Sequence, residues 1–144
     1  MGKGRFDHVL VAVAGEDDAT ATAAALARNL DADRVTVVHV VEKAGGAPDK
    51  AGVEQSETAA EASFAAFREG YHGGEVTTRV VFDTDVADGL VRAAREADAD
   101  AVVFTPRGGS WFERALTGNV ARDLMDAADR PVVAIPDAGT GADA

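Results

Sequence analysis

An α/β fold is predicted for this 144-residue chain: a doubly wound, parallel five-stranded sheet with four helices, of Rossmann-like class. Three features predict it. Short apolar runs rich in valine alternate with alanine-rich stretches of helical period, five of the first kind and four of the second. The runs are apolar at successive positions, as in strands buried on both faces by crossover helices. Such β–helix–β connections are expected to be right-handed.

His8–Ala14 is the first run, and Gly15 follows it. Glu16, Asp17 and Asp18 suit the positive end of a helix. Its stripe is Ala19, Ala23, Leu26, Ala27 and Leu30, and Asp31-Ala32-Asp33 closes it. Arg34–Val41 is the second strand, and Glu42–Lys50, with Gly45, Gly46 and Pro48, is a loop. A helix over about 51–69 sets Ala60, Phe64, Phe67 and Tyr71 on one buried face before Gly70, Gly73 and Gly74 end it. Glu75–Phe82 is the third strand. Thr84 or Asp85 can cap the next helix, whose stripe is Val86, Leu90, Ala93, Ala94 and Ala97. Ala101–Thr105 is the fourth strand, and Ala121, Leu124, Met125 and Ala128 mark the last helix. Val132–Ile135, between Pro131 and Pro136, is a short fifth strand. These elements make one domain over 1–137, followed by a small polar tail over 138–144.

Composition excludes several functions. The chain has no cysteine, so disulfides and thiolate chemistry are absent. No run reaches the roughly 18 to 20 apolar residues of a membrane span, and the start leads straight into a strand, so a cytoplasmic protein is expected. A net charge of −11 disfavours nucleic acid and anionic membranes as partners. Aspartate outnumbers glutamate 16 to 9, and arginine outnumbers lysine 11 to 3. That balance looks like the composition of halophile proteins. At molar salt the Debye length falls to about 3 Å, so dense surface carboxylate repels itself little.

Ligands of open parallel sheets bind beyond the carboxyl ends of the strands, at the topological switch point. Those ends carry Ala14-Gly15, Val40-Val41, Asp83 and Thr105 through Arg107, Gly108, Gly109 and Ser110. Gly118, Asn119 and Val120 then stand before the last helix, whose unpaired first-turn amides and dipole suit an anion. A strand–helix connection with turn glycines is the plainer alternative. Ser110 can donate to a phosphate or serve the turn. Trp111 and Phe112 can cover the loop or meet a second subunit.

Asp100-Ala101-Val102-Val103-Phe104, then Gly108, nine residues, Gly118, then Val120-Ala121 and Arg130–Ile135 resemble the universal stress protein family. Val9–Val13 and His39-Val40 extend the resemblance over nearly the whole chain. It implies an ATP or AMP site, with phosphates over the 108–119 loop and the Val40 backbone at the adenine edge. It also implies a homodimer through the strand at Val132–Ile135, an exposed apolar edge that otherwise invites aggregation. The chain departs from the family's motif. Thr105 replaces its first glycine, Asn119 its closing Ser/Thr, and Ala14 the aspartate that ends the first strand. Losing one charged hydrogen-bond partner is worth about 1.5–3 kcal/mol, or roughly 10- to 150-fold in affinity. The resemblance therefore implies a degenerate site, AMP less affected than ATP. A triphosphate would need a divalent cation to offset the acids at 16–18, with Arg107 and Arg114 helping.

Catalytic chemistry finds little support. The three histidines have no metal-site spacing, no serine sits in a nucleophile elbow, and no P-loop lysine follows Gly108. His39 is expected to be a strand residue with a satisfied ring. The expectation is a binding or regulatory module in stress response, hydrolysing ATP very slowly at most. A dimeric interaction module without nucleotide is one alternative. A receiver-like phosphoacceptor is another, with Glu16–Asp18 as the acid cluster, Asp83 as acceptor and Thr105 as the switch hydroxyl, though the lysine expected after the fifth strand is missing.

Overall fold

The computed structural model describes residues 4–42, 50–105 and 120–136. Five strands form the sheet: β1 (Gly4–Ala12), β2 (Leu30–Glu42), β3 (Glu75–Asp83), β4 (Ala101–Phe104) and β5 (Val132–Ala134). The described helices are α1 (Glu16–Asn29), α2 (Lys50–Gly70), α3 (Val86–Ala97) and α4 (Val120–Ala127). All strand pairs are parallel, in the order β3-β2-β1-β4-β5.

β1 is the centre of the sheet because it is apolar at every position from Val9 to Val13. Successive side chains of a strand point to opposite faces. Val9, Val11 and Val13 therefore join Leu26 of α1 and Phe64 and Phe67 of α2 in one core. Leu10 and Ala12 join Val38, Leu90 of α3 and Leu124 of α4 in the other. The aromatic stripe of α2 packs as its spacing predicts, with the Phe67 and Tyr71 rings 5.6 Å apart.

Several boundaries differ from the expected ones for physical reasons. α1 begins at Glu16, three residues before the predicted stripe, because Glu16, Asp17 and Asp18 complement the dipole from inside the first turn. Leu30 leaves that helix directly into β2, so Asp31-Ala32-Asp33 belong to the strand. The ladder continues past the apolar pattern from Gly4↔Leu30 onward, where exposed Arg5 pairs with Asp33 at 3.1 Å. Ala27 is exposed. Met125 is 62% exposed, against its predicted place on the buried stripe: Leu124 faces the core, and the next residue is turned about 100° away.

The α3 caps carry clear chemistry. Asp85, one of the two predicted caps, accepts from the Asp88 N–H at 3.0 Å. At the other end Asp98 adopts a left-handed conformation, φ 57°. Asp98 N–H donates to Arg95 C=O at 3.2 Å, and Ala99 N–H to Ala94 C=O at 3.0 Å, a Schellman closure. Arg130 reinforces it, donating from Nη1 to the carbonyls of Ala94 (3.1 Å) and Ala99 (2.6 Å). Gly74, between α2 and β3, passes so close to β2 that a Cβ there would meet the carbonyl oxygens of Ala32 and Asp33, the latter at 2.6 Å. The 138–144 tail lies outside the described residues.

Candidate functional site

The chain runs β1, β2, β3 in one direction across the sheet, then returns to place β4 on the other side of β1. The switch point is therefore between the carboxyl ends of β1 and β4. α1 leaves β1 on one face there, and Thr105 leaves β4.

Val13 N–H donates to Val38 C=O at 3.0 Å, closing the β1–β2 ladder whose last registered pair is Ala12↔Val38. β2 and β3 continue to Glu42↔Asp83. Main-chain groups alternate sides along a strand, so those of Val40 share the β1-facing direction of Val38, beyond that last pair. The Val40 side chain is buried in the core under α3. This placement leaves the Val40 backbone beyond the end of the β1–β2 ladder.

Ala14 N–H donates to Asp18 Oδ2 at 2.8 Å. Asp18 is the third residue of α1 and reaches back over the helix start, satisfying an amide as the acidic half of a capping box does. It is 8% exposed, so the rim of β1 carries a largely buried carboxylate that the sequence placed only in an acidic triplet. Gly15 has extended backbone and open space where a Cβ would stand, so nothing in the described residues requires glycine there.

Thr105 is fully buried, and its Oγ1 lies 2.8 Å from Oγ1 of Thr22, also fully buried, on α1. Its side chain is thus spent on α1. Nothing local in the sequence points to this partner, because the pair spans 83 residues. His39 is a strand residue, as expected, but its ring is only partly satisfied. Burial holds its ring below the usual histidine range, partly opposed by the Val13 carbonyl, and Nδ1 has no hydrogen-bond partner among the described residues.

Of the other predicted site residues, Val120 opens α4. Arg107, Gly108, Gly109, Ser110, Gly118 and Asn119 lie outside the described residues, as do Trp111, Phe112 and Arg114. No group of three His, Asp or Glu among the described residues is placed to hold a metal ion.

The receiver-like alternative is overturned by strand order. Receiver-type sheets run 2-1-3-4-5, which sets the third strand beside the first. Here β3 is an edge strand beyond β2, two strand spacings (roughly 9 to 10 Å) from β1. Asp83 is also engaged: Arg92 Nη1 donates to it at 2.7 Å and the Asp85 N–H at 2.9 Å, and the latter bond is the largest cause holding its carboxyl below the usual range.

The order β3-β2-β1-β4-β5 defines an open, doubly wound parallel α/β sheet with its switch point between β1 and β4. The chain belongs to the universal stress protein family, whose model matches residues 5–136. No curated protein matches it. Among solved structures, it is similar to the universal stress protein of Archaeoglobus fulgidus in complex with dAMP: 25% identity, 90% of this chain and 98% of that one, TM-score 0.59. It is also similar to a universal stress protein family member from Burkholderia pseudomallei, at 28% identity over 91% and 96% of the two chains, TM-score 0.56. A universal stress protein in complex with cAMP shares the fold, at 17% identity, 90% and 96% coverage and TM-score 0.55. No described helix is long and apolar enough to cross a membrane.

Proposed function

We propose that this protein is a stress-response binding module, a homodimer with a weakened adenine-nucleotide site at the β1/β4 crevice, and not a turnover enzyme. The observation that carries the reading is the Asp18 carboxylate on the Ala14 amide. It sets negative charge at the rim where binding relatives are expected to place the strand-end aspartate, but commits one oxygen to the main chain. The dAMP and cAMP complexes of the related proteins support adenine nucleotide as the ligand class. Phosphate contacts are assigned to residues 107–110 and 118–120 on the sequence motif alone. The acidic rim repels a triphosphate, so ATP requires a divalent cation and AMP does not. Calorimetry with AMP and with ATP, each with and without Mg²⁺, tests this. Weak AMP binding with ATP binding only in Mg²⁺ is expected; micromolar ATP binding without the cation refutes it, and binding of neither favours an interaction module without nucleotide.

The dimer is assigned to β5. Val132 and Val133 are only half-buried and Ala134 is exposed, on an outer edge that pairs with β4 alone among the described residues. Antiparallel pairing across a two-fold axis would satisfy that edge, with Pro131 and Pro136 limiting further growth. Val133→Lys is expected to give a monomer by light scattering. A wild-type chain that is monomeric at micromolar concentration refutes the dimer.

A further inference from the structure

A second polar site lies far from the crevice, on the α3 face of the amino-terminal half of the sheet. A cavity of about 310 Å³ opens beside the last turn of α3, within the range of small-molecule sites. Its floor crosses three adjacent strands. His8 of β1 is 6% exposed, and its Nε2 lies 2.7 Å from Thr36 Oγ1 of β2, which lies 3.0 Å from Thr77 Oγ1 of β3. The same cavity is lined by Arg34, Arg79 and Glu96. Arg34 pairs loosely with Glu75 at 3.6 Å, and Arg79 gives one Nη1 to Glu96 at 2.9 Å. A guanidinium carries five N–H donors, so both arginines keep donors for a ligand.

We propose that this cavity binds a small oxyanion, a carboxylate or a phosphate monoester, gripped by Arg34 and Arg79 above the Thr36–Thr77 hydroxyl floor. Guanidinium forks match carboxylate and phosphate oxygens bidentately, and the Thr77 hydroxyl keeps its proton for a ligand when His8 donates to Thr36 and Thr36 to Thr77. Arg34 and Arg79 are each paired with one carboxylate, Glu75 and Glu96, so an incoming anion competes with those two for the guanidinium donors. His8 stands six residues before Ala14 along β1, roughly 20 Å at strand rise, so this site does not rest on the nucleotide reading.

His8 is a built-in reporter. Burial and then the Arg34 charge hold its ring below the usual histidine range, while Asp98 and Asp100 oppose them. The other charged groups facing the cavity are Arg79 and Glu96. An anion beside Arg34 would cancel part of that field and move the His8 midpoint upward.

The experiment titrates inorganic phosphate, and separately acetate, into the full chain at pH 7.5 and constant ionic strength, following the His8 ring by NMR. A saturable shift is expected, with affinity reduced at least about tenfold in Arg34→Gln and Arg79→Gln. Both are partly exposed positions, and unchanged amide spectra elsewhere verify their fold. Saturation by phosphate, by acetate or by both supports the proposal and assigns the source. A shift that never saturates, one equal in both variants, or one centred on Gly15 and Thr105 instead of His8 overturns it.

Discussion

Replacing Thr105 by valine isolates the contact that ties the end of β4 to α1. Thr105 and Thr22 are both fully buried, and their hydroxyl oxygens are 2.8 Å apart. Valine keeps the branched shape but turns a hydroxyl into a methyl, leaving the Thr22 oxygen buried without its partner. An orphaned buried hydroxyl costs about 1–3 kcal/mol, whereas replacing both partners with apolar groups of the same shape is nearly neutral. Each single variant, Thr105→Val or Thr22→Val, should therefore lose about 1–3 kcal/mol, and the double variant less than about 1 kcal/mol. The single losses correspond to roughly 3 °C of melting temperature per kcal/mol in a domain of this size. Urea unfolding at one fixed, multimolar KCl concentration measures the cycle, with m-values compared to check for an unchanged denatured state. If the double variant costs the sum of the two singles, the hydroxyls are not coupled and the anchoring argument fails.

Gly74→Ala should destabilise by about 1–3 kcal/mol, since its Cβ meets β2 carbonyl oxygens that cannot swing aside; a neutral melting temperature would contradict that. Arg130→Met removes charged donors from two carbonyls, a loss of about 1.5–3 kcal/mol near neutral pH by urea unfolding. The same arginine, first through its hydrogen bond and with Arg95 adding a second, holds the Asp129 carboxyl down from 3.8 to about 2. A depressed native pKa contributes stability above the unfolded value and loses it as pH falls. The gap between wild type and Arg130→Met should thus narrow from about pH 4 to about pH 2, and a gap that widens there would be inconsistent. The acidic surface is proposed to be a halophilic one, with the melting temperature rising from dilute buffer to multimolar KCl; no change would remove the idea.

How much of this was legible in the sequence depended on the range of the interaction. Phe64, Phe67 and Tyr71 announce their shared face because a helix converts spacing into direction. Asp85 announces its cap because the partner amide is three residues away. Thr22 and Thr105 do not announce each other, since only the return of β4 to the flank of β1 brings them together. The cavity over His8 was illegible for the same reason: its residues come from three strands and the end of a helix. Met125 misled because a two-turn helix offers too few residues to fix which side faces inward. Ala14 and Thr105 follow the ends of β1 and β4 closely and Val40 lies just inside the end of β2, but the grip of Asp18 on the Ala14 amide was hidden within an acidic triplet that equally suited a helix dipole.

Among the described residues, the stretch 120–136 holds to the rest of the molecule through a three-residue strand, one side of a short helix, the Arg130 guanidinium and the Arg95–Asp129 ion pair. Such a segment is expected to open as a cooperative unit before the remainder melts. Amide deuterium uptake there should outpace that of β1 and β2. Any second copy seated on β5 would slow it in proportion to protein concentration, so the outermost strand's exchange rate doubles as a gauge of assembly.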